Sequence, residues 1–191
     1  EKLSEHASVP VINGLSDSFH PCQILADFMT IKEKKKTLKG LKIAWIGDGN
    51  NVCNSMIYGA ALSGAKMSIA TLKGFEPDKS TVKVSQNLTD IELTTDPLKA
   101  AENADVVVTD TYSSIHNNDS KRIKKFIPKY QVNDKIMNLA KKNAIFLHCL
   151  PAKRDQEVTS SVIDGPQSVV WDEAENRLHT QKALLCALLH A

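Results

Sequence analysis

The chain has 191 residues, 42% of them hydrophobic and 24% charged, with a formal net charge of +2. That length suits one large core better than two small ones, and the near-neutral charge excludes a nucleic-acid binder working by bulk electrostatics. No apolar run is long enough to span a bilayer, Glu1-Lys2-Leu3-Ser4 has no signal or transit pattern, and Cys22, Cys53, Cys149 and Cys186 lack zinc-type spacing. The composition thus predicts no nucleic-acid partner, no membrane partner, no metal and four free thiols.

In chain order, His20 to Lys36 reads as an amphipathic helix with Pro21 in its first turn. Short β-branched runs then alternate with segments of helical period. Strands are expected at Lys42 to Ile46, Lys66 to Leu72, Ile91 to Thr94, Asp105 to Thr109, Ala144 to His148 and Ser168 to Trp171. Helices are expected at Val52 to Ser63, Asp78 to Gln86, Pro97 to Glu102 and Val132 to Lys141, with Gly64 a helix stop. Tyr112 to Tyr130 has no clear period, and Asn117-Asn118-Asp119-Ser120 within it has loop chemistry. The lysine clusters Lys32 to Lys39 and Lys121 to Lys129 read as solvated faces. Glu173 to His190 closes the chain as a second amphipathic helix.

This alternation predicts an α/β fold, a three-layer Rossmann-like domain with a mainly parallel sheet. The two end helices stand outside the alternation and are expected to pack on something beyond this chain. Parallel sheets bind ligands past the carboxyl ends of their strands, so the polar residues that follow each apolar run carry the functional signal. These are Gly47-Asp48-Gly49-Asn50-Asn51, Thr109-Asp110-Thr111, His148-Cys149, and Asp172-Glu173 with Arg177.

Taken singly, each group has a plainer explanation. Gly47-Asp48-Gly49-Asn50-Asn51-Val52 lacks the third glycine of a dinucleotide fingerprint, and no acidic residue closes the next strand. Helix N-capping accounts for one of Asn50 and Asn51, loop capping for Asp110, and simple burial for Cys149. A Cys-His nucleophile is disfavoured because adjacent strand residues point to opposite faces. A zinc site from His148, Cys149 and His179 has no support from spacing. Convergence of all four groups on one sheet edge is what favours a small-molecule site.

In order and spacing, Phe19-His20-Pro21-Cys22-Gln23, Gly47-Asp48-Gly49-Asn50-Asn51, Thr109-Asp110-Thr111, His148-Cys149-Leu150-Pro151 and Ala174-Glu175-Asn176-Arg177 resemble the ornithine carbamoyltransferases, from about Val9 onward. The resemblance implies carbamoyl transfer from carbamoyl phosphate to the δ-amine of ornithine, giving citrulline and phosphate, with no cofactor. It implies that His20, Gln23, Cys149, Leu150 and Arg177 meet carbamoyl phosphate, and that Asn51, Asp110, Ser114 and Ile115 hold ornithine. Asp110, Cys149, Arg177 and His20 would be the catalytic set. Residues 1–36 would belong partly to a carbamoyl-phosphate domain, 37–172 would form the ornithine-binding domain, and 173–191 would return to the first domain.

Two departures accompany the resemblance. Ser114, Ile115 and His116 stand where the family usually has Ser-Met-Gly, and its arginine-rich phosphate loop, Ser-Thr-Arg-Thr-Arg, has no counterpart in this sequence. The chain is therefore expected to be a fragment, inactive alone, with an exposed apolar patch where its other half sits. The resemblance also implies a homotrimeric full-length enzyme in the cytoplasm, or in the mitochondrial matrix if the source is an animal. The altered segment leaves two rivals open: a related carbamoyltransferase for another amine or amino acid, and a non-catalytic amino-acid-binding domain.

Overall fold

The computed structural model describes residues 2–112 and 120–190. Its helices and strands follow one another as α1 (Lys2–His6), α2 (Pro21–Lys35), β1 (Lys42–Ile46), α3 (Asn51–Ser63), β2 (Lys66–Ala70), α4 (Lys79–Ser85), β3 (Ile91–Thr94) and α5 (Pro97–Ala101). They continue with β4 (Val106–Val108), α6 (Ser120–Phe126), α7 (Asp134–Met137), β5 (Ile145–Leu147), α8 (Ser160–Ile163) and α9 (Val170–Leu189). The five strands pair in the order β3-β2-β1-β4-β5, every pair parallel.

Strand alternation divides the core into two layers. Ile43, Trp45, Met67, Ile69, Val106, Val108, Ile145 and Leu147 face α2, α3 and α4. Ala44, Ile46, Val107 and Phe146 face the opposite side, where Phe126, Tyr130, Ile136 and Val162 complete the packing. Both faces are covered, which is why the strands read as near-continuous apolar runs. This is the three-layer parallel architecture that the sequence predicts.

Local chemistry sets most boundaries. Asp78, Asp96 and Asn133 cap α4, α5 and α7 with side-chain oxygens, and Gly64 ends α3 in the left-handed region at φ 73°. Two expectations fail, and one unassigned stretch gains an element. Ser168 to Trp171 is not a sixth strand: only Ser168 bridges Phe146, and α9 begins at Val170. The β-branched Val169-Val170 pair is overridden by helix burial, since Val170 and Glu173 are both inside. Val132 to Lys141 is mostly not α-helix, because Val132 bridges Val158 and Asn133 caps a single turn. Part of the unassigned stretch, Ser120–Phe126, is α6.

The end helices also differ from expectation on one side. They pack on each other, with Asn176 of α9 donating to Thr30 and Glu33 of α2 at 2.9 Å each. Their outward residues Leu25, Leu178, Leu185 and Leu189 stay exposed.

Candidate active site

Strand order reverses between β1 and β4, so the loops that follow them diverge and open a crevice at the carboxyl edge. The loop after β1 is drawn tightly down. Gly47 has φ 135°, and an added Cβ at Gly49 would lie 2.2 Å from the Pro77 nitrogen. Both glycines are thus needed for the loop to pass under the turn before α4. Asn50 ends that loop as the cap of α3, its oxygen accepting from the Val52 and Cys53 amides at 3.1 Å. The Asn50 amide then donates across the crevice to Asp110 Oδ2 at 2.6 Å.

Asp110 follows β4 and is the hub of this side. Its Oδ1 accepts from the Thr111 amide at 2.7 Å and from the Cys149 thiol, which follows β5, at 3.3 Å. Burial pushes the Cys149 thiol well above its ordinary value, and the negative charges of Asp110, Glu173 and Asp27 push it further. A thiol held protonated is a hydrogen-bond donor rather than a nucleophile.

His148 is fully buried. Its Nδ1 accepts from the Leu150 amide at 2.9 Å and its Nε2 faces Glu157 at 3.2 Å, so the ring holds its proton on Nε2 and braces the turn. That turn carries Leu150 at φ 55°, in the left-handed region that a γ-branched side chain rarely adopts, followed by a cis bond to Pro151. Glu157→Ala removes the acceptor of two donors, the His148 ring and the Lys153 amide. Unfolding in urea should show a loss on the order of 3 kcal/mol.

Metal-binding atoms of Asp110, His148 and Cys149 lie within 4.8 Å of one another. Both His148 nitrogens are already engaged and the thiol is held protonated, so this donor set does not suit an ion.

The second half of the site comes from α2 and α9. Arg177 donates through Nη1 to Gln23 Oε1 at 2.6 Å and through Nη2 to Gln181 at 2.9 Å, while its buried Nε has no partner. Gln23 turns its amide nitrogen to Asp27 at 2.7 Å and Glu173 at 3.1 Å. His20 precedes α2, where its backbone amide donates to Ser55 at 2.8 Å. Burial and the Arg177 charge hold its imidazole below the ordinary histidine range, against smaller opposing effects of Asp110 and the Gly14 carbonyl. The buried Nδ1 of His20 is also unpartnered. The guanidinium offers a free N–H, and the neutral imidazole offers a second in the tautomer that carries its proton on Nδ1, which is what a bound carbonyl group needs.

The structure thus brings together Asp110 with Cys149, and Gln23 with Arg177 and His20. The two groups sense each other electrostatically, through Asp110 at His20. Asn51 stands apart: its amide donates to the Ser16 carbonyl at 2.8 Å, and its oxygen accepts from Val52. Ser114, Ile115 and His116 lie outside the described residues. Reading the sequence placed Asn50 and Glu173 at the polar edge without giving either a role, and it missed Asp27. Asn50 was hidden by its own capping role, but Gln23 and Asp27 carry a visible signal, two polar residues four apart on one helix face.

Family models match along most of the chain. Residues 39–188 match the aspartate/ornithine carbamoyltransferase Asp/Orn-binding domain, and residues 1–33 match the carbamoyl-P-binding domain of the same family. The chain is 63% identical to the ornithine carbamoyltransferase of Cenarchaeum symbiosum, over 98% of this chain and 62% of that protein. It is 53% identical to the Carboxydothermus hydrogenoformans enzyme of the same name, over 99% of this chain and 63% of the relative. The solved ornithine carbamoyltransferase of Pyrococcus furiosus superposes with a TM-score of 0.92 at 51% identity, covering 97% of this chain and 61% of that one. The chain therefore spans less than two thirds of the length of these relatives, and it belongs to the aspartate/ornithine carbamoyltransferase family.

Proposed function

We propose that a longer protein containing this chain transfers the carbamoyl group of carbamoyl phosphate to the δ-amine of ornithine, giving citrulline and phosphate. This chain supplies the ornithine-binding half. The observation that carries the reading is the crevice at the β1/β4 reversal, where Asn50, Asp110 and Cys149 meet opposite His20, Gln23 and Arg177.

Each group has a task in that chemistry. Asp110 attracts the cationic amino acid, with Asn50 fixing the orientation of its carboxylate. Cys149 sits at its side as a donor to Asp110, and the Asp110 carboxylate is the acceptor for the proton that the reacting amine must shed before it attacks. Arg177 and His20 hold the carbamoyl oxygen as negative charge gathers on it in the tetrahedral intermediate. The Leu150 carbonyl, aimed by its left-handed φ, accepts from the carbamoyl nitrogen. Gln23 has one oxygen lone pair left beside Arg177 for the same group. Asn51 acts on ornithine less directly, by tying the segment before His20 to the first turn of α3. Ser114 and Ile115 complete the ornithine contacts in this reading.

The phosphate is bound by the remaining part of the protein, against which Leu25, Leu178 and Leu189 pack. In this arrangement residues 1–36 and 173–191 span both domains. The reading also carries a homotrimeric, cytoplasmic enzyme. Among the described residues no helix is long and apolar enough to cross a membrane.

Two measurements test the proposal. The intact protein should form citrulline from ornithine and carbamoyl phosphate, and should not accept putrescine, acetylornithine or aspartate comparably. This chain alone should form none and should bind carbamoyl phosphate weakly in calorimetry. Tight binding by the chain alone, or preference for another amine, would overturn the respective part. Sedimentation of the intact protein checks the trimer.

A further inference from the structure

Between α2 and α9 lie two carboxyl groups that the proposed chemistry does not use. Asp27 and Glu173 are each 1% exposed, and the Gln23 amide joins them. Two ionised carboxylates buried on one amide repel each other and lose their hydration. The Gln23 amide spends both of its hydrogens here, one on Asp27 at 2.7 Å and one on Glu173 at 3.1 Å. The other Glu173 oxygen takes the His148 backbone amide at 2.9 Å. The pair therefore touches the root of the His148-Cys149-Leu150 turn on one side and the Gln23–Arg177 bond on the other.

We propose that Asp27 and Glu173 are positioning residues that share a single proton and thereby aim Gln23 and Arg177 at the carbamoyl group. The proposal rests on the carbamoyl-transfer reading above. The charged and titratable groups that act on the pair are Arg177 on α9, Asp110 after β4 and Cys149 after β5. Only Arg177 among these is a fixed cation, so the local balance favours retaining the proton. Burial pushes Asp27 up to about 7, against weaker lowering by Gln23, Glu173 and Arg177. Burial and Asp27 hold Glu173 well above the usual carboxyl range. As pH rises through the raised range of Glu173, the shared proton leaves. Two adjacent negative charges then separate α2 from α9 and draw Arg177 toward them, away from the substrate.

The test uses the intact protein and three variants, Asp27→Asn, Glu173→Gln and Asp27→Ala. For the wild type, KM for carbamoyl phosphate should climb above neutrality, as pH rises through the raised range in which the pair loses its shared proton. Asp27→Asn keeps a permanent hydrogen for Glu173, so it should match the wild-type KM below neutrality and lose the climb. Asp27→Ala should raise that KM about tenfold at every pH, the effect of one lost anchoring hydrogen bond, and leave the KM for ornithine nearly unchanged. Infrared difference spectra should show a protonated carboxyl stretch near neutral pH that disappears in Asp27→Asn and in Glu173→Gln. An Asp27→Asn profile identical to the wild type, or a KM as poor as that of Asp27→Ala, would overturn the positioning role. Absence of the infrared band would overturn the shared proton whether or not citrulline forms. A wild-type protein that shows the band but makes no citrulline refutes the transferase reading and, with it, the aim at a carbamoyl group.

Discussion

Replacing Arg177 with alanine in the intact protein should lower kcat for citrulline formation by about 10²–10³-fold, the usual cost of removing one donor from a developing oxyanion. The guanidinium is held by Gln23 at 2.6 Å and Gln181 at 2.9 Å, which leaves its buried Nε free for the carbamoyl oxygen. Arg177→Lys should recover little of the loss. An ammonium has no planar fork, so it cannot keep both glutamine contacts and still present a donor at the Nε position. Loss of Arg177 also removes the nearest cation from His20, whose imidazole should then titrate closer to its ordinary value. Steady-state rates with carbamoyl phosphate varied at saturating ornithine check the first outcome. A histidine NMR titration checks the second. An alanine variant with unchanged kcat would remove Arg177 from the site.

Asp110→Asn is expected to have the second large effect, with two readouts that move in opposite directions. Asparagine preserves the size of the hub and can still accept from the Thr111 amide, but it cancels the charge that attracts ornithine. The KM for ornithine should rise by roughly 10²-fold, in line with the loss of a charge-assisted contact worth about 1.5–3 kcal/mol. Reactivity of Cys149 should go the other way. Its thiol is pushed up first by burial and next by the Asp110 charge, so cancelling that charge lowers it toward the ordinary range. The thiolate fraction at a given pH therefore increases, and so does alkylation by iodoacetamide. Unchanged thiol reactivity in this variant would show that the Asp110–Cys149 contact does not hold in solution.

Much of the frame was legible because parallel sheets and caps leave local marks. β1 and β3 fall where the apolar runs end, and Gly64, Asp78 and Asp96 stop or start helices by chemistry confined to one or two residues. The failures share a cause. Val169-Val170 and Val132 have strand-forming side chains, but what they become depends on partners elsewhere: Phe146 for the bridge at Ser168, Val158 for Val132, and the buried face of α9 for Val170. No window of sequence contains those partners.

The site divides along the same line. Chain order alone shows that Asp110, Cys149 and Asn50 follow strands of a parallel sheet, and strand ends of one sheet share an edge for geometric reasons. Chain order cannot say which of two adjacent asparagines crosses the crevice. Capping geometry decides it, turning Asn50 to Asp110 and Asn51 to the Ser16 carbonyl. Nor can it join residues 150 positions apart. Gln23 and Asp27 meet Glu173 and Arg177 because α2 and α9 pack side by side, and burying that polar seam forces its groups to satisfy one another. By itself the sequence determined the parallel α/β frame and the polar edge where chemistry can occur. Tertiary structure alone decided which side chains face one another there, because hydrogen bonds in a dry interior depend on distances that only packing sets.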